Sequence, residues 1–405
     1  GIWYTPQSGI YMPVFLESTP YLHVEDVKYT PDIDNSELII NVKSKSDVCD
    51  INIEGKDIRI LTNEDIHIHI DNLHLWSIED PYLYPITLKV GKDLVKSYFA
   101  MRKFSITKDE NNIPRLALNN KPIFMKGVLD QGYYKNGLLT PESYNEYIKD
   151  IELVKSLGFN TIRKHIKLEI PRWYYECDKR GVIVWQDFVN GGSKYLFPTI
   201  TFPLFTNIHL KDNHHFLFSR KNKEGRLETI KEFKKIINYL YNSPSIALWT
   251  IFNEGWGQFD SKNVLEEMTK IDNSRIYDHA SGWHDQKIGD IKSMHVYFKK
   301  VKLPKKENRC IILSEFGGLV LPIEGHVIKG NSVYKKFKTK EEYLKAYEEM
   351  INRDVIANIP LGLSACIYTQ LSDVEEETNG FVTFDREVVK VSPEEIKRIN
   401  NKIIL

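Results

Sequence analysis

Apolar positions recur along this chain with two different periods, and the change between them falls near residue 107. From residue 20 to about 106, the segments SELIINVKS, DINIEG, DIRILT, DIHIHID, YPITLKVG and KSYFAMRKFSI alternate apolar and polar residues between turn formers. Short runs of period two with no helical stretch between them predict an immunoglobulin-like β-sandwich over residues 20–106. His67 and His69 alternate within one of these strands. A polar outer face accounts for that pair better than a metal site does.

Beyond residue 107 the pattern becomes strand, helix, strand, helix. PIFMKGVLDQGY predicts a first strand, and PESYNEYIKDIELVKSLGF an amphipathic helix with Thr140 as N-cap and Gly158 at its end. NTIRKHI, VIVWQDF, IALWTIFNE, RIYDHASG, SMHVYF, CIILSEFGG and LSACIYTQL predict further strands. PRWYYECDKRG, ETIKEFKKIINYLYN and TKEEYLKAYEEMINRDVIAN read as helices between them. Eight strands over roughly 290 residues suit a (β/α)8 barrel spanning 107–405.

Two of these strands carry the candidate chemistry. ALWTIFNEGWG (247–257) ends in Asn253-Glu254, and CIILSEFGG (310–318) carries Glu315 near its end. Both are short, β-branched and aromatic, as strands buried on both faces are. Desolvating a carboxylate costs several kcal/mol, so two core strands ending in one suggest that the charge is used. In a parallel barrel such positions face the mouth, and strands four and seven face each other across it. Paired carboxylates there suit acid/base and nucleophilic attack on a glycosidic bond.

Composition narrows the partners. Basic and acidic residues balance at 55 each, so no nucleic acid or other polyanion is expected. Cys49, Cys177, Cys310 and Cys366 are scattered and form neither a disulfide framework nor a metal motif. No apolar run reaches the ~20 residues of a membrane span. The chain opens in GIWYTPQSG, which reads as mid-domain, so location stays open with a cytoplasmic one favoured. Between Phe188 and about Arg226 lies a long segment predicted to sit on the catalytic side. Its Phe197, Phe202, Phe205, Phe216 and Phe218 would roof a pocket or make a subunit contact. Its His214-His215 pair has no carboxylate at ligand spacing.

KGVLDQGYY, NTIRKHIK, VIVWQDF, NSPSIALWTIFNEGWGQ, ASGW and LSEFGG resemble, in order, the barrel strands of glycoside hydrolase family 2. LWSIEDPYLYPITLKVG and SYFAMRKFSI resemble the end of that family's immunoglobulin-like domain, with Ala100 where glycine is more usual. SGIYMPVFLE (8–17) resembles the strand closing its N-terminal jelly roll, so residues 1–19 are expected to be a remnant of that domain. The resemblance implies a retaining, exo-acting β-glycosidase with Glu315 as nucleophile and Glu254 as acid/base. Asn253 would hydrogen-bond the sugar 2-hydroxyl, while Arg163 and Tyr297 would keep Glu315 ionised. His165, Asp187, Asp130, Gln131 and Asp373 would bind sugar hydroxyls, and Trp256 and Trp283 would stack on the ring. No metal or cofactor is implied. The partner is a carbohydrate, and a homo-oligomer is compatible with the insertion.

Family glucuronidases carry Asn-x-Lys after strand eight, where this chain reads SDVEEETNGFVTFDR, with Glu375, Glu376 and Glu377. Large family β-galactosidases bind magnesium through Glu-x-His after strand three, which DFVNGGS lacks. A metal-independent β-galactosidase is therefore expected ahead of a β-mannosidase or β-glucuronidase. A non-catalytic carbohydrate-binding protein that keeps the fold is the alternative of a different class.

Overall fold

The computed structural model describes residues 4–5, 7–206, 208–328 and 335–405, with the Leu204 and Phe205 side chains outside the described set. Two antiparallel sheets form the N-terminal sandwich. One places Glu37–Lys43 between Asp26–Asp32 and Ile66–His69; the other orders Lys56–Leu61, Val48–Ile53, Tyr84–Val90 and Asp93–Phe99. Alternation turns Leu38, Ile40 and Val42 inward against Ile51, Ile86 and Leu88, all buried. His67 and His69 lie on the outer face, with His67 Nδ1 2.8 Å from Glu37 across the ladder.

The structure corrects the end of this unit. The FSI of KSYFAMRKFSI leaves the sandwich: Phe104–Lys108 pairs with Pro114–Leu118, and that hairpin lies under the barrel. The reason is packing, since Phe104, Leu116 and Leu118 share one apolar cluster with barrel residues Met125, Trp185 and Leu248. Residues 8–17 form no strand, and Ile10, Val14, Phe15 and Leu16 are exposed.

Eight parallel strands follow: β1 (Met125–Asp130), β2 (Thr161–Lys164), β3 (Ile183–Asp187), β4 (Ile246–Thr250), β5 (Ile276–Asp278), β6 (Ile291–Val296), β7 (Cys310–Gly317) and β8 (Leu363–Thr369). Their hydrogen-bonded order is β5-β4-β3-β2-β1-β8-β7-β6, a nearly closed barrel. Helices pack outside it because their apolar residues recur on one face, as Tyr147, Ile151 and Val154 do in Tyr144–Ser156. That helix begins after Ser143, so Thr140 is not its N-cap. Pro171 opens the next helix, Pro171–Arg180, where its missing N–H would be unpaired in any case.

The barrel interior changes character along its length. Met125, Leu129, Ile183, Trp185, Leu248, Ile276, Ile312 and Ile367 fill the lower layers. Toward the C-terminal ends of the strands the inward positions become Asp187, Asp278, Ser293, His295, Ser314, Glu315 and Thr369, joined by Arg163 of β2, whose register partners are Leu129 and Trp185; all but His295 are buried to a few per cent.

Candidate active site

Arg163 in β2 organises the mouth. Its Nε and Nη2 donate to both oxygens of Asp187, at 3.0 and 2.9 Å. Nη1 reaches Glu315 Oε1 at 3.0 Å and the Ser314 carbonyl at 3.0 Å, and Nη2 also reaches Asn253 Oδ1 at 2.8 Å. A planar guanidinium with several fixed donors suits this role, which a lysine could not fill.

Glu315 owes its aim to an irregularity in β7. The β7–β8 ladder shifts register between Leu313 and Phe316. Leu313 and Phe316 both join the outer core, while Ser314 and Glu315 both turn inward. Strict alternation would have sent one of the two outward; bulges beside active sites re-aim side chains in this way. Tyr297, just past β6, donates its hydroxyl to Glu315 Oε2 at 2.5 Å and lies 3.1 Å from Thr369 Oγ1.

Glu254 does not end β4, which closes at Thr250; it stands in the turn beyond, after Asn253 bridges to Ser281. Glu254 adopts a left-handed backbone, φ 53°, a conformation that costs about 1–3 kcal/mol and clusters at functional sites. Gly255 follows, where a Cβ would lie 2.3 Å from His284 Cδ2. The insertion braces this turn: Tyr195 packs on Trp256 with centroids 4.1 Å apart, Arg220 Nε donates to the Gly257 carbonyl at 2.9 Å, and His215 pairs with Asp260. Phe218 is buried against His284, Phe197, Phe202 and Phe216 are exposed, and the Phe205 side chain lies outside the described residues.

One oxygen each of Glu254 and Glu315 and a ring nitrogen of His295 lie within 4.8 Å of one another. The two carboxyls differ in surroundings. Burial pushes Glu254 up to about 7, against the nearby charge of Arg163. Burial also raises Glu315, so Arg163 does not hold it below the usual range as the sequence suggested. Arg163 and the Tyr297 bond both pull it back down, and Glu315 alone receives two direct donors that favour the ionised form. Glu254 keeps 21% of its side chain exposed against 6% for Glu315, so it is the carboxyl that meets solvent at the mouth.

Other predicted residues divide into two groups. Asn253 joins the site: Oδ1 accepts from Arg163, Nδ2 meets His165 Nε2 at 3.1 Å, and its second N–H stays available. His165 is oriented by Gln131 Oε1 at 2.8 Å from Nδ1, and burial beside Arg163 holds the imidazole neutral. Asp187 is the counter-ion of Arg163 and wholly buried, not a sugar ligand. Asp130 is likewise taken up, by Lys164 Nζ at 2.5 Å and the Gly132 N–H at 2.8 Å. Asp373 pairs with Lys390 at 2.6 Å and anchors the turn after β8. Trp283 lines a cleft of about 690 Å³ with Gly282, His295 and the insertion residues Pro203 and Ile208. Trp256 packs against the insertion, as above. The residue the sequence reading missed is His295, although its place two positions before Tyr297 in a strand was the available signal.

Among the described residues, the other histidine–carboxylate cluster is His326, Asp385 and Glu387, where Lys135 Nζ already lies 4.0 and 3.7 Å from the two carboxylates.

A nearly closed parallel barrel preceded by a β-sandwich brings two carboxyls together at its C-terminal mouth, where barrel proteins place their sites. The family model for glycosyl hydrolases family 2, TIM barrel domain, matches residues 110–403, and that for glycosyl hydrolases family 2 matches residues 50–102. The chain belongs to glycosyl hydrolase family 2. It is 26% identical over 307 residues to a β-galactosidase of Halalkalibacterium halodurans, covering 68% of this chain and 28% of that protein. It is 23% identical over 261 residues to a β-glucuronidase of Streptococcus agalactiae, covering 61% and 41% respectively. The chain thus spans well under half the length of these curated relatives. Its fold is similar to that of a β-D-glucuronidase of Dictyoglomus thermophilum, with TM-score 0.73 at 16% identity over 95% of this chain and 69% of that one.

Proposed function

We propose that this chain carries the catalytic centre of a retaining β-glycosidase acting on terminal, uncharged sugars, β-galactosides first. The observation that carries the reading is the unequal treatment of two neighbouring carboxyls: Glu315 holds Arg163 and Tyr297, while Glu254 has burial and the His295 imidazole, which burial pushes down to about 4 and so keeps neutral. Glu315 attacks the anomeric carbon as Glu254 protonates the leaving oxygen; Glu254 then takes a proton from the water that releases the sugar. An oxygen of each carboxyl within 4.8 Å of the other fits the close-spaced, retaining class, since inversion needs room for a water between them. Asn253, fixed on both sides, presents its remaining N–H to the 2-hydroxyl.

Uncharged sugars are favoured over uronates by the buried cations. Arg163, Lys164, Lys167 and Lys390 each already sit on a protein carboxylate. Glu377, raised by burial to about 7 and within electrostatic reach of Glu254, adds negative charge as it ionises. The relation to a β-galactosidase supports galactosides among the uncharged sugars. The test is a panel of aryl β-glycosides assayed on this chain, with product stereochemistry followed by proton NMR. Galactoside cleavage with retention is expected; no cleavage of any member, or cleavage of uronides alone, would overturn the reading.

A further inference from the structure

His295 holds the most informative position not yet given a task. It projects inward from β6, its side chain fully buried, beside both carboxyls. Nδ1 lies 2.9 Å from Glu254 Oε1. On the other side of the ring, Nε2 lies 3.0 Å from Ser281 Oγ, 3.4 Å from Arg163 Nη1 and 3.6 Å from Glu315 Oε1. Gly282 makes room for the ring, since a Cβ there would come within 2.5–2.7 Å of its atoms.

The two ring nitrogens face different chemistry. A guanidinium can only donate, so the nitrogen turned toward Arg163 must offer a lone pair. The Ser281 hydroxyl, 2.9 Å from Ser314 Oγ as well, rotates to suit either tautomer. The proton of the neutral ring therefore belongs on Nδ1, where it donates to Glu254 Oε1. A carboxyl oxygen that accepts from Nδ1–H is the carbonyl-like oxygen of the acid form. The catalytic proton is left to Oε2.

Resting on the glycosidase reading above, we infer that His295 is a positioning residue that caps Glu254 Oε1 through Nδ1–H and so confines the transferable proton to Oε2. The bond persists in both halves of the reaction, because Oε1 accepts whether Glu254 is acid or carboxylate. No proton leaves the imidazole, which stays neutral throughout.

Two measurements test this, one without substrate. In the 15N spectrum of the histidine-labelled chain, which has 12 histidines, the His295 signals are assigned by their loss in His295→Asn. Nδ1 should show a protonated shift and Nε2 an unprotonated one; the reverse overturns the inference even if no substrate is ever cleaved. The second compares phenyl with 2,4-dinitrophenyl glycosides. His295→Leu should lower kcat/KM for the phenyl substrate about 100-fold more than for the dinitrophenyl one, because only the poorer leaving group needs the acid. It should also move the alkaline limb of kcat/KM upward, since ionised Glu254 loses a donor. His295→Asn, which can present an N–H near the same point, should restore most of the ratio. Equal losses on both substrates would make His295 merely structural, and a limb moving downward would mean that Nδ1 accepts. Both results would overturn the proposal while leaving the glycosidase reading intact.

Discussion

The floor and the mouth of the barrel are built by the same eight strands, yet they obey opposite rules. At the floor, Met125, Leu129, Trp185, Leu248 and Ile312 are apolar and fully packed, closed from below by Phe104, Leu116 and Leu118. Toward the C-terminal ends of the strands, the interior holds Arg163, Asp187, Asp278 and Glu315, equally buried but ionisable. Burial at the floor contributes stability, roughly 25 cal/mol per Å² of apolar surface removed from water. At the mouth it opposes stability and tunes chemistry instead, raising Glu254 to about 7 and pushing Glu315, Asp187 and Asp278 upward as well. Strained backbone at Glu254 lies at the mouth as well. The fold stands on one end of its barrel and reacts at the other.

The largest effects that separate the two ends are catalytic. Glu315→Gln removes the proposed nucleophile and should lower kcat by about 10⁴-fold or more on any substrate. The circular dichroism spectrum should remain native. A residual rate within tenfold of the parent would break the assignment. Arg163→Met should be next. It strands Asp187 and Glu315 without their cation, and breaking a buried pair typically costs 3–5 kcal/mol. Urea unfolding should report that loss together with loss of turnover; an unchanged midpoint would show that the network contributes little.

How much of this was legible beforehand follows the same division. Period-two and buried-strand patterns located every barrel strand, because burial on both faces leaves runs such as IALWT and LSACIYT with few polar residues. Strand order also brought Glu254 and Glu315 into view. What could not be read was which buried charges answer to one another. Asp187 and Asp130 look alike as strand-end acids, but their partners Arg163 and Lys164 point to opposite faces of β2, inward and outward. The bulge that turns Glu315 inward is equally invisible, since CIILSEFG reads as a regular strand. The sandwich boundary failed for another reason: FSITK has the right alternation for either sheet, and only the hairpin partner Pro114–Leu118 decides.

At the floor the sharpest contrast comes from Leu248→Ala. This side chain is fully buried among Trp185, Ile183 and Ile312, so truncation should cost about 2–5 kcal/mol through lost transfer and a residual cavity. Activity per folded molecule should hardly change, because the site lies above the apolar layer. If kcat fell tenfold while the midpoint held, floor and mouth would be coupled and the comparison would fail.

The smallest predicted effect has the opposite sign. Glu254→Gln should abolish acid catalysis yet stabilise the protein at alkaline pH. The folded state holds the Glu254 proton up to about pH 7, whereas an ordinary glutamate, as in the unfolded chain, gives its proton up near 4.5. Between these values the folded state binds more protons than the unfolded one, so stability falls as pH rises through the window. Above it, the folded protein carries a buried carboxylate at a cost of at most about 3 kcal/mol, from 1.36 kcal/mol per pKa unit. Allowing for the 21% of the side chain still exposed, about 2 kcal/mol is expected. Glutamine keeps the shape and cannot ionise. Urea titrations should therefore show the variant more stable than the parent by about 2 kcal/mol at pH 8.5. At pH 4.5, where the folded carboxyl is protonated in any case, the two should be nearly equal. A difference that stays constant across this range would mean that Glu254 is not held protonated by burial, and the division of labour between the two carboxyls would lose its physical basis.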